Sequence, residues 1–363
     1  MSTMTGPASN AVAFAHPRAD DPALRRTLLS AFDHLASWAA LEMAWSVARD
    51  EELLSAVERG TTVAELATLI DAPELRVEAL LRALENHGVL SRDGSSFRLA
   101  EEWSALRDVR GWLELLLGGY HGVFRAAGEL TRHGDAAAAR DPVHVAAGSG
   151  GITTFDAAPM MARLIAGADA GDAPLILDYG CGDGTMLRDL CRHFPGARGF
   201  GLEVDPRTVA RAAENLAGAG LGDRVTVERG MAPASLPDLD PDFVILAFVL
   251  HEVLGQAGRE GLVEFMRSLR EAYPRASLLA VEVLNPRLVG LERLLAEDPQ
   301  GRGYYNPYIW LHYVTRQELV DHETWKELFD EAGFEIVATD GVDPGIDPTG
   351  LEVGYLARPT GQS

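Results

Sequence analysis

Two cysteines in 363 residues, Cys181 and Cys191, leave no room for a disulfide framework and fit a reducing compartment. No apolar run approaches the roughly 20 residues that a bilayer span requires, so no membrane partner is expected and the chain is expected in the cytoplasm. Basic residues are scarce: 32 Lys and Arg stand against 54 Asp and Glu, a formal net charge of −22. That balance opposes a polyanion, so no nucleic-acid partner is expected. Internal repeats and coiled-coil heptads are also missing, as is the basic start followed by an apolar stretch that marks a secretory signal. Residues 1–20, rich in Ala with Ser and Pro interspersed, read as a disordered leader. The remaining length is enough for two domains with separate cores.

Against these absences stands Leu175-Ile176-Leu177-Asp178-Tyr179-Gly180-Cys181-Gly182-Asp183-Gly184-Thr185. A short apolar run ends in Asp and three alternating glycines, the pattern of a buried strand turning sharply under a nucleotide-like ligand. A dinucleotide fingerprint would place its third glycine at 185, where Thr stands, which disfavours a pyrophosphate cofactor. The turn is instead similar to motif I of class I S-adenosylmethionine (SAM)-dependent methyltransferases, in which an acidic residue and a Gly-x-Gly-x-Gly turn hold the amino-acid end of SAM. By that resemblance Asp178, Gly180, Gly182, Asp183 and Gly184 are cofactor residues.

A second strand, 197–205, ends in carboxylates about 20 residues beyond the turn. Glu203 suits the ribose hydroxyls, because an ionised carboxylate only accepts and can take both hydrogens. Val204 and Asp205 lie beside it in the cofactor site, and the plainer alternative has Glu203 capping the next helix with Asp205. A third strand over 225–231 brings Gly230 and Met231 near the adenine. The fourth, 242–250, is the nearly continuous apolar run of a strand covered on both faces and delivers Phe248 to the cofactor. The expected fold is α/β: a Rossmann-like class I methyltransferase sheet with a C-terminal antiparallel strand, preceded by an α-helical winged-helix domain.

That winged helix is read over 21–105. Leu24, Leu28, Leu29, Phe32, Leu35 and Trp38 form a stripe at helical spacing that needs a partner. Two helices, 62–70 and 75–84, follow, the first with a capping box at Thr62 and Glu65. A hairpin then turns at Asp93-Gly94. A DNA-binding role is opposed by Glu74, Glu78 and Glu85 alternating with Arg76 and Arg82. The layout resembles small-molecule methyltransferases in which this lobe dimerises, which implies a homodimer. Residues 106–168 are expected as a helical connector and pocket roof, with helices over 109–132 and 155–167 and a Gly- and Ala-rich hinge or lid over 136–154. The catalytic domain is expected over 169–363, with a helix over 259–272 and a fifth strand over 276–283.

In an open parallel sheet the ligand lies beyond the carboxyl ends of the strands, so His251 and Glu252, just after strand four, face the reacting methyl. The histidine has three readings: general base, metal ligand or structural imidazole. An aromatic-rich, poorly periodic segment, 304–317, reads as pocket wall. Leu250-His251-Glu252, His312-x-x-Thr315-x-Gln317, and Trp325 with Leu328 to Phe334 resemble the metal-dependent α-keto acid C-methyltransferases of peptide-antibiotic biosynthesis. The resemblance implies that His251 and His312 hold one zinc or iron ion and that a 2-oxo acid substrate is methylated at its β-carbon through a metal-stabilised enolate. Glu252 then orients a water or takes the proton, Arg125 clamps the carboxylate, and Tyr304 and Trp310 line the side-chain pocket. With no acidic cluster in the aromatic wall, an uncharged substrate side chain is expected. The alternative on the same fold is O-methylation of a hydroxylated aromatic with His251 as general base; a SAM-binding regulator is disfavoured by the acidic balance.

Overall fold

The structure is a computed structural model that describes residues 20–133, 140–168, 171–230 and 236–361. The chain divides into two compact units, Met1–Leu106 and Arg107–Ser363.

The first unit opens with α1 (Pro22–Ala48), started by Asp21, whose side chain accepts from the Ala23 and Leu24 amides ahead of a proline at the first helical position. Ala40, Ala44, Val47 and Ala48 bury one end of this helix, whereas Leu28, Leu29, Phe32, Leu35 and Trp38 stay exposed. Next come α2 (Glu51–Arg59), β1 (Thr61–Thr62), α3 (Val63–Leu69) and α4 (Glu74–Asn86). The expected capping box opens α3, Thr62 and Glu65 satisfying one another's backbone amides. A hairpin of β2 (Leu90–Asp93) and β3 (Ser96–Leu99) completes a small antiparallel sheet in the order β1-β3-β2.

The second unit begins with α5 (Leu106–Leu113), a wide π-helical turn over Glu114–Gly119, α6 (His121–Arg125) and α7 (Ala127–His133). One continuous helix was expected here, but Gly118-Gly119 interrupts it. The larger departure is α8 (Pro142–Thr153), where a loop was expected. Its glycines serve packing: a Cβ on Gly148 would lie 2.4 Å from the Leu115 nitrogen, and one on Gly111 would lie 2.8 Å from the Gly151 carbonyl carbon. Glycine lowers helix propensity by about 1 kcal/mol, and here it admits backbone-to-backbone contact that no other residue allows. Then α9 (Ala157–Gly167) leads into the sheet.

That sheet is built from β4 (Leu175–Tyr179), α10 (Thr185–His193), β5 (Arg198–Glu203), α11 (Pro206–Gly218), β6 (Val225–Arg229), β7 (Phe243–Ala247), α12 (Leu250–Ala272) and β8 (Ser277–Val283). After α13 (Glu292–Glu297), α14 (Asn306–Val314) and α15 (His322–Glu331), the hairpin of β9 (Phe334–Gly341) and β10 (Glu352–Pro359) closes it. The order is β6-β5-β4-β7-β8-β10-β9, with β10 antiparallel to both neighbours. Strand order reverses between β4 and β7, and the crevice beyond their carboxyl ends is the natural ligand position. Two apolar layers cover the sheet, one centred on Trp325, Phe329 and Tyr355 and the other on Met160, Met161 and Ile165. Helix α12 starts at Leu250, earlier than expected, and is broken at Gly258, whose φ of 71° is not helical. No helix among the described residues is long and apolar enough to cross a membrane.

Candidate active site

A cavity of about 490 Å³ opens at the strand reversal, within the range of small-molecule sites. Gly180, Cys181, Gly182 and Asp183 of the glycine turn form one wall, whereas Gly184, expected beside them, packs behind it against Leu216 and Ala212. Gly180, Gly182 and Gly184 take φ values of 76°, 54° and 78°, a region that costs side-chain-bearing residues. Asp178, at the end of β4, is buried and faces the cavity, and its Oδ2 has no hydrogen-bond partner. Burial, then the nearby Glu203, push its carboxyl up to about 7. A buried, partnerless acceptor is expensive, and an ammonium group on a bound ligand relieves it.

Glu203 lines the same wall, where its Oε1 accepts from the Val204 and Asp205 amides (2.7 and 2.9 Å) and its Oε2 from the Gly182 amide (3.2 Å). These bonds fix the carboxylate at the cavity edge. Capping of α11 falls to Asp205 alone, which accepts from the Arg207 and Thr208 amides and lies outside the cavity wall. Val204, Asp183, Gly230 and Phe248 reach the cavity, Phe248 with a strained φ of 58°. Met231 falls outside the described residues.

Two buried histidines occupy the opposite end. His251 sits in the first turn of α12 and His312 near the end of α14, their ring centroids 5.0 Å apart. The His251 Nδ1 lies 2.6 Å from the Glu282 Oε2 of β8, and Glu282 Oε1 also accepts from the Leu250 amide at 2.8 Å. The His312 Nδ1–H donates to the Tyr308 carbonyl at 2.6 Å. A carbonyl only accepts, so that nitrogen carries the proton and the Nε2 lone pair of a neutral ring is left over. Burial, then the neighbouring His251, hold the His312 pKa well below its ordinary value. For His251, burial opposes protonation, but the Glu282 carboxylate outweighs it and raises the pKa.

Glu252 is anchored through Oε1, which accepts from Arg140 (2.7 Å) and Gln317 (2.5 Å). Burial alone would raise this carboxyl, yet Arg140 wins and keeps it below the usual carboxylate range. Arg140, Tyr120, Tyr304 and Tyr308 line the cavity between the histidines and the glycine turn. At its remaining edge stand two carboxyl groups, Asp156 and Glu352, 6% and 5% exposed.

Residues 176–272 match the family described as methyltransferase domain. A 2-ketoarginine methyltransferase of Streptomyces arginensis is 37% identical over 288 residues, spanning 77% of this chain and 81% of that protein. The chain belongs to the class I SAM-dependent methyltransferases. This methyltransferase is also similar to the O-methyltransferase aclM of Aspergillus oryzae, 26% identical over 78% of this chain and 70% of that one. Among solved structures, mitomycin 7-O-methyltransferase aligns over 93% of this chain and 99% of its own with a TM-score of 0.63 at 21% identity. A likeness of that kind carries the fold alone.

Two residues expected at the substrate lie elsewhere in the methyltransferase. Arg125 closes α6 and points to solvent. Trp310 stacks on Phe124, centroids 6.0 Å apart, outside the cavity wall. On α14, Tyr308 and His312 share a face four residues apart, and position 310 falls on another. Tyr304 lines the cavity as expected. Sequence reading missed Arg140, Tyr120, Asp156 and Glu352. The first had a usable signal: Asp141-Pro142 behind it is a helix start, with Asp141 accepting from the Val143 and His144 amides.

Proposed function

We propose that this methyltransferase transfers the methyl group of SAM to the β-carbon of a 2-oxo acid. The observation that carries the reading is the pair of buried imidazoles, each with its Nδ1 committed to an acceptor and its Nε2 left over at the cavity. Acceptors behind metal-ligating histidines orient such rings in this way, so His251 and His312 fit a zinc or iron ion. Among the described residues no group of three or more His, Cys, Asp or Glu side chains is set to hold an ion. Two imidazoles alone would leave coordination positions for the carboxylate and keto oxygens of the substrate. A bound ion would supply Lewis acidity at the keto oxygen, and SAM an electrophilic methyl group.

The chain's own residues do the rest. Asp178 and the glycine turn receive the amino-acid end of SAM, and Glu203 receives the ribose. Arg140 presents its guanidinium to the substrate carboxylate. Glu252, held through Oε1, offers Oε2 to the β-proton. Tyr120, Tyr304 and Tyr308 exclude water and fix the β-carbon against the methyl donor, an orientation effect that reaches about 7–11 kcal/mol at its limit. The 2-ketoarginine named for the Streptomyces relative supports a 2-oxo acid substrate. A mitomycin biosynthesis 6-O-methyltransferase from Streptomyces lavendulae, 29% identical over 48% of this chain, supports a place in antibiotic or peptide-precursor biosynthesis.

A second reading has its own support. The His251–Glu282 pair at 2.6 Å has the arrangement of a general base oriented by a carboxylate, which suits O-methylation of a phenol and leaves His312 without a role. Incubation with SAM and a panel of 2-oxo acids, with fragmentation of the product, separates the two. A methyl group on the β-carbon is expected. Methylation of a catechol in chelator, with every 2-oxo acid inert, overturns the first reading.

For the first unit we infer a winged-helix lobe that pairs two copies into a homodimer. The exposed stripe from Leu28 to Trp38 on α1 supports it. The charges of α4 argue against nucleic acid, since Arg82 pairs with Glu78 and Glu85 on its own helix. A cytoplasmic location completes this reading.

A further inference from the structure

The carboxyl groups of Asp156 and Glu352 have no place in cofactor binding, in the histidine pair or in the Arg140–Glu252 ion pair. Asp156 lies between α8 and α9 and accepts from the Ala157 amide at 2.5 Å. Glu352 opens β10 directly opposite Val283, itself a cavity residue. Both line the cavity, Asp156 at the start of α9 and Glu352 on the strand against which α9 packs. Burial pushes Asp156 up to about 7 and Glu352 well above its ordinary value. Behind them Asp347 adds a third carboxyl, bonded to the Tyr305 hydroxyl and to the Thr349 amide. Among the described residues neither Asp156 nor Glu352 forms a salt bridge.

One oxygen is left over. Glu352 Oε1 is buried in the cavity wall without a hydrogen-bond partner. A wall that received a hydrocarbon or phenyl side chain would be cheaper to build from apolar residues, since a buried acid pays desolvation and an unpaired oxygen besides. A cation reverses that balance: it favours the ionised carboxylates, pairs with both groups and fills the orphaned oxygen. A guanidinium matches best, because its planar fork presents several N–H groups to two carboxylates at once and packs on an aromatic face. Tyr304 lines the same cavity, its hydroxyl pushed up by burial first and then by Asp156 and Glu352.

Building on the 2-oxo acid reading, we propose that Asp156 and Glu352 form the side-chain subsite of the cavity and select 2-oxo acids that end in a cationic group, guanidinium above all. The aromatic segment 304–317 carries no acidic cluster and by itself implies the opposite, an uncharged side chain. These two come from far outside it and meet only in the fold.

The test is selectivity between isosteres. kcat/KM is measured for 5-guanidino-2-oxopentanoate, for its neutral ureido counterpart and for phenylpyruvate, in the wild type and in Asp156→Asn and Glu352→Gln. The wild type is expected to favour the guanidino acid over the ureido acid by about 100-fold or more, as sites built around a specific polar group do. Each variant should collapse that ratio by about 100-fold. Binding of S-adenosylhomocysteine within twofold of wild type identifies folded variants. Equal or better turnover of the ureido acid or phenylpyruvate by the wild type overturns the subsite and leaves the 2-oxo acid reading standing. If every 2-oxo acid is inert while a phenol is methylated, the reading beneath it falls instead.

Discussion

The ring of His251 and the carboxylate of Glu282 lie 2.6 Å apart, joining the first turn of α12 to the end of β8. Glu282 is fully buried and its other oxygen accepts from the Leu250 amide, so one side chain fixes both the start of the helix and the orientation of the imidazole. Turning the ring would break its bond to a carboxylate that the helix entry holds in place.

That arrangement makes the metal reading measurable without an assay. Protein purified after supplementation with zinc or iron is expected to hold about one ion per chain by elemental analysis. His251→Ala and His312→Ala should each lose it. Glu282→Gln should weaken it by about 10–100-fold, the usual effect of removing the acceptor behind a ligating histidine. Wild-type protein that is fully active with no stoichiometric ion would sink the proposal and leave His251 as a base.

Arg140 and Arg125 form an internal control. Arg140 is part-buried in the cavity wall and paired with Glu252 at 2.7 Å, whereas Arg125 is exposed at the end of α6. Arg140→Gln is expected to lower kcat/KM for the 2-oxo acid by about 100-fold, or about 2.7 kcal/mol, mostly through KM. Arg125→Gln should change it less than twofold. The reverse order of effects would return the carboxylate clamp to its first assignment.

What could be read from the chain tracks how local the determining physics is. The turn at Gly180, Gly182 and Gly184 was legible because positive φ is a single-residue requirement that only glycine meets cheaply. The position of His251 was legible because a fixed sheet topology puts the end of β7 at the ligand. Helix α8 was not, because its glycines answer to Leu115 and Gly111 on a neighbouring segment and carry no helical preference of their own. Asp156 and Glu352 were invisible for a stronger reason: each is an unremarkable acid until α9, which Asp156 opens, packs against β10. Residue type announces a turn; only tertiary contact brings two such acids into one cavity wall.

The same contrast predicts opposite signs for two glycine-to-alanine changes. A methyl group on Gly148 of α8 would sit 2.4 Å from the Leu115 nitrogen, so the backbone must part and a loss of about 1–3 kcal/mol is expected. Gly128 lies in α7 with nothing within 4 Å of the same position. Gly128→Ala should therefore gain about 0.4–1 kcal/mol, by helix propensity and reduced freedom of the unfolded chain. Thermal unfolding of the two variants reads both. A stabilising Gly148→Ala would refute the close packing of α8.

Asp178 links pH to cofactor affinity with a defined sign. Its carboxyl is raised to about 7 in the ligand-free protein, first by burial and then by Glu203. A raised acid contributes stability below its unfolded value, near 3.9, and that contribution is lost as pH rises through the folded value. Ionisation therefore costs the empty protein stability, while it creates the anion that an ammonium group on SAM needs. Affinity for SAM is expected to climb as pH rises through about 7 and to fall again above roughly 8, where a free α-amino group loses its proton. Asp178→Asn should abolish the acid limb, weaken SAM at pH 7.5 and leave the empty protein as stable as wild type or more so at that pH. Calorimetric titration and thermal unfolding across pH 5.5 to 9 check all three. If the acid limb survives in Asp178→Asn, some other group governs it and the assignment of Asp178 to the SAM amino end is wrong.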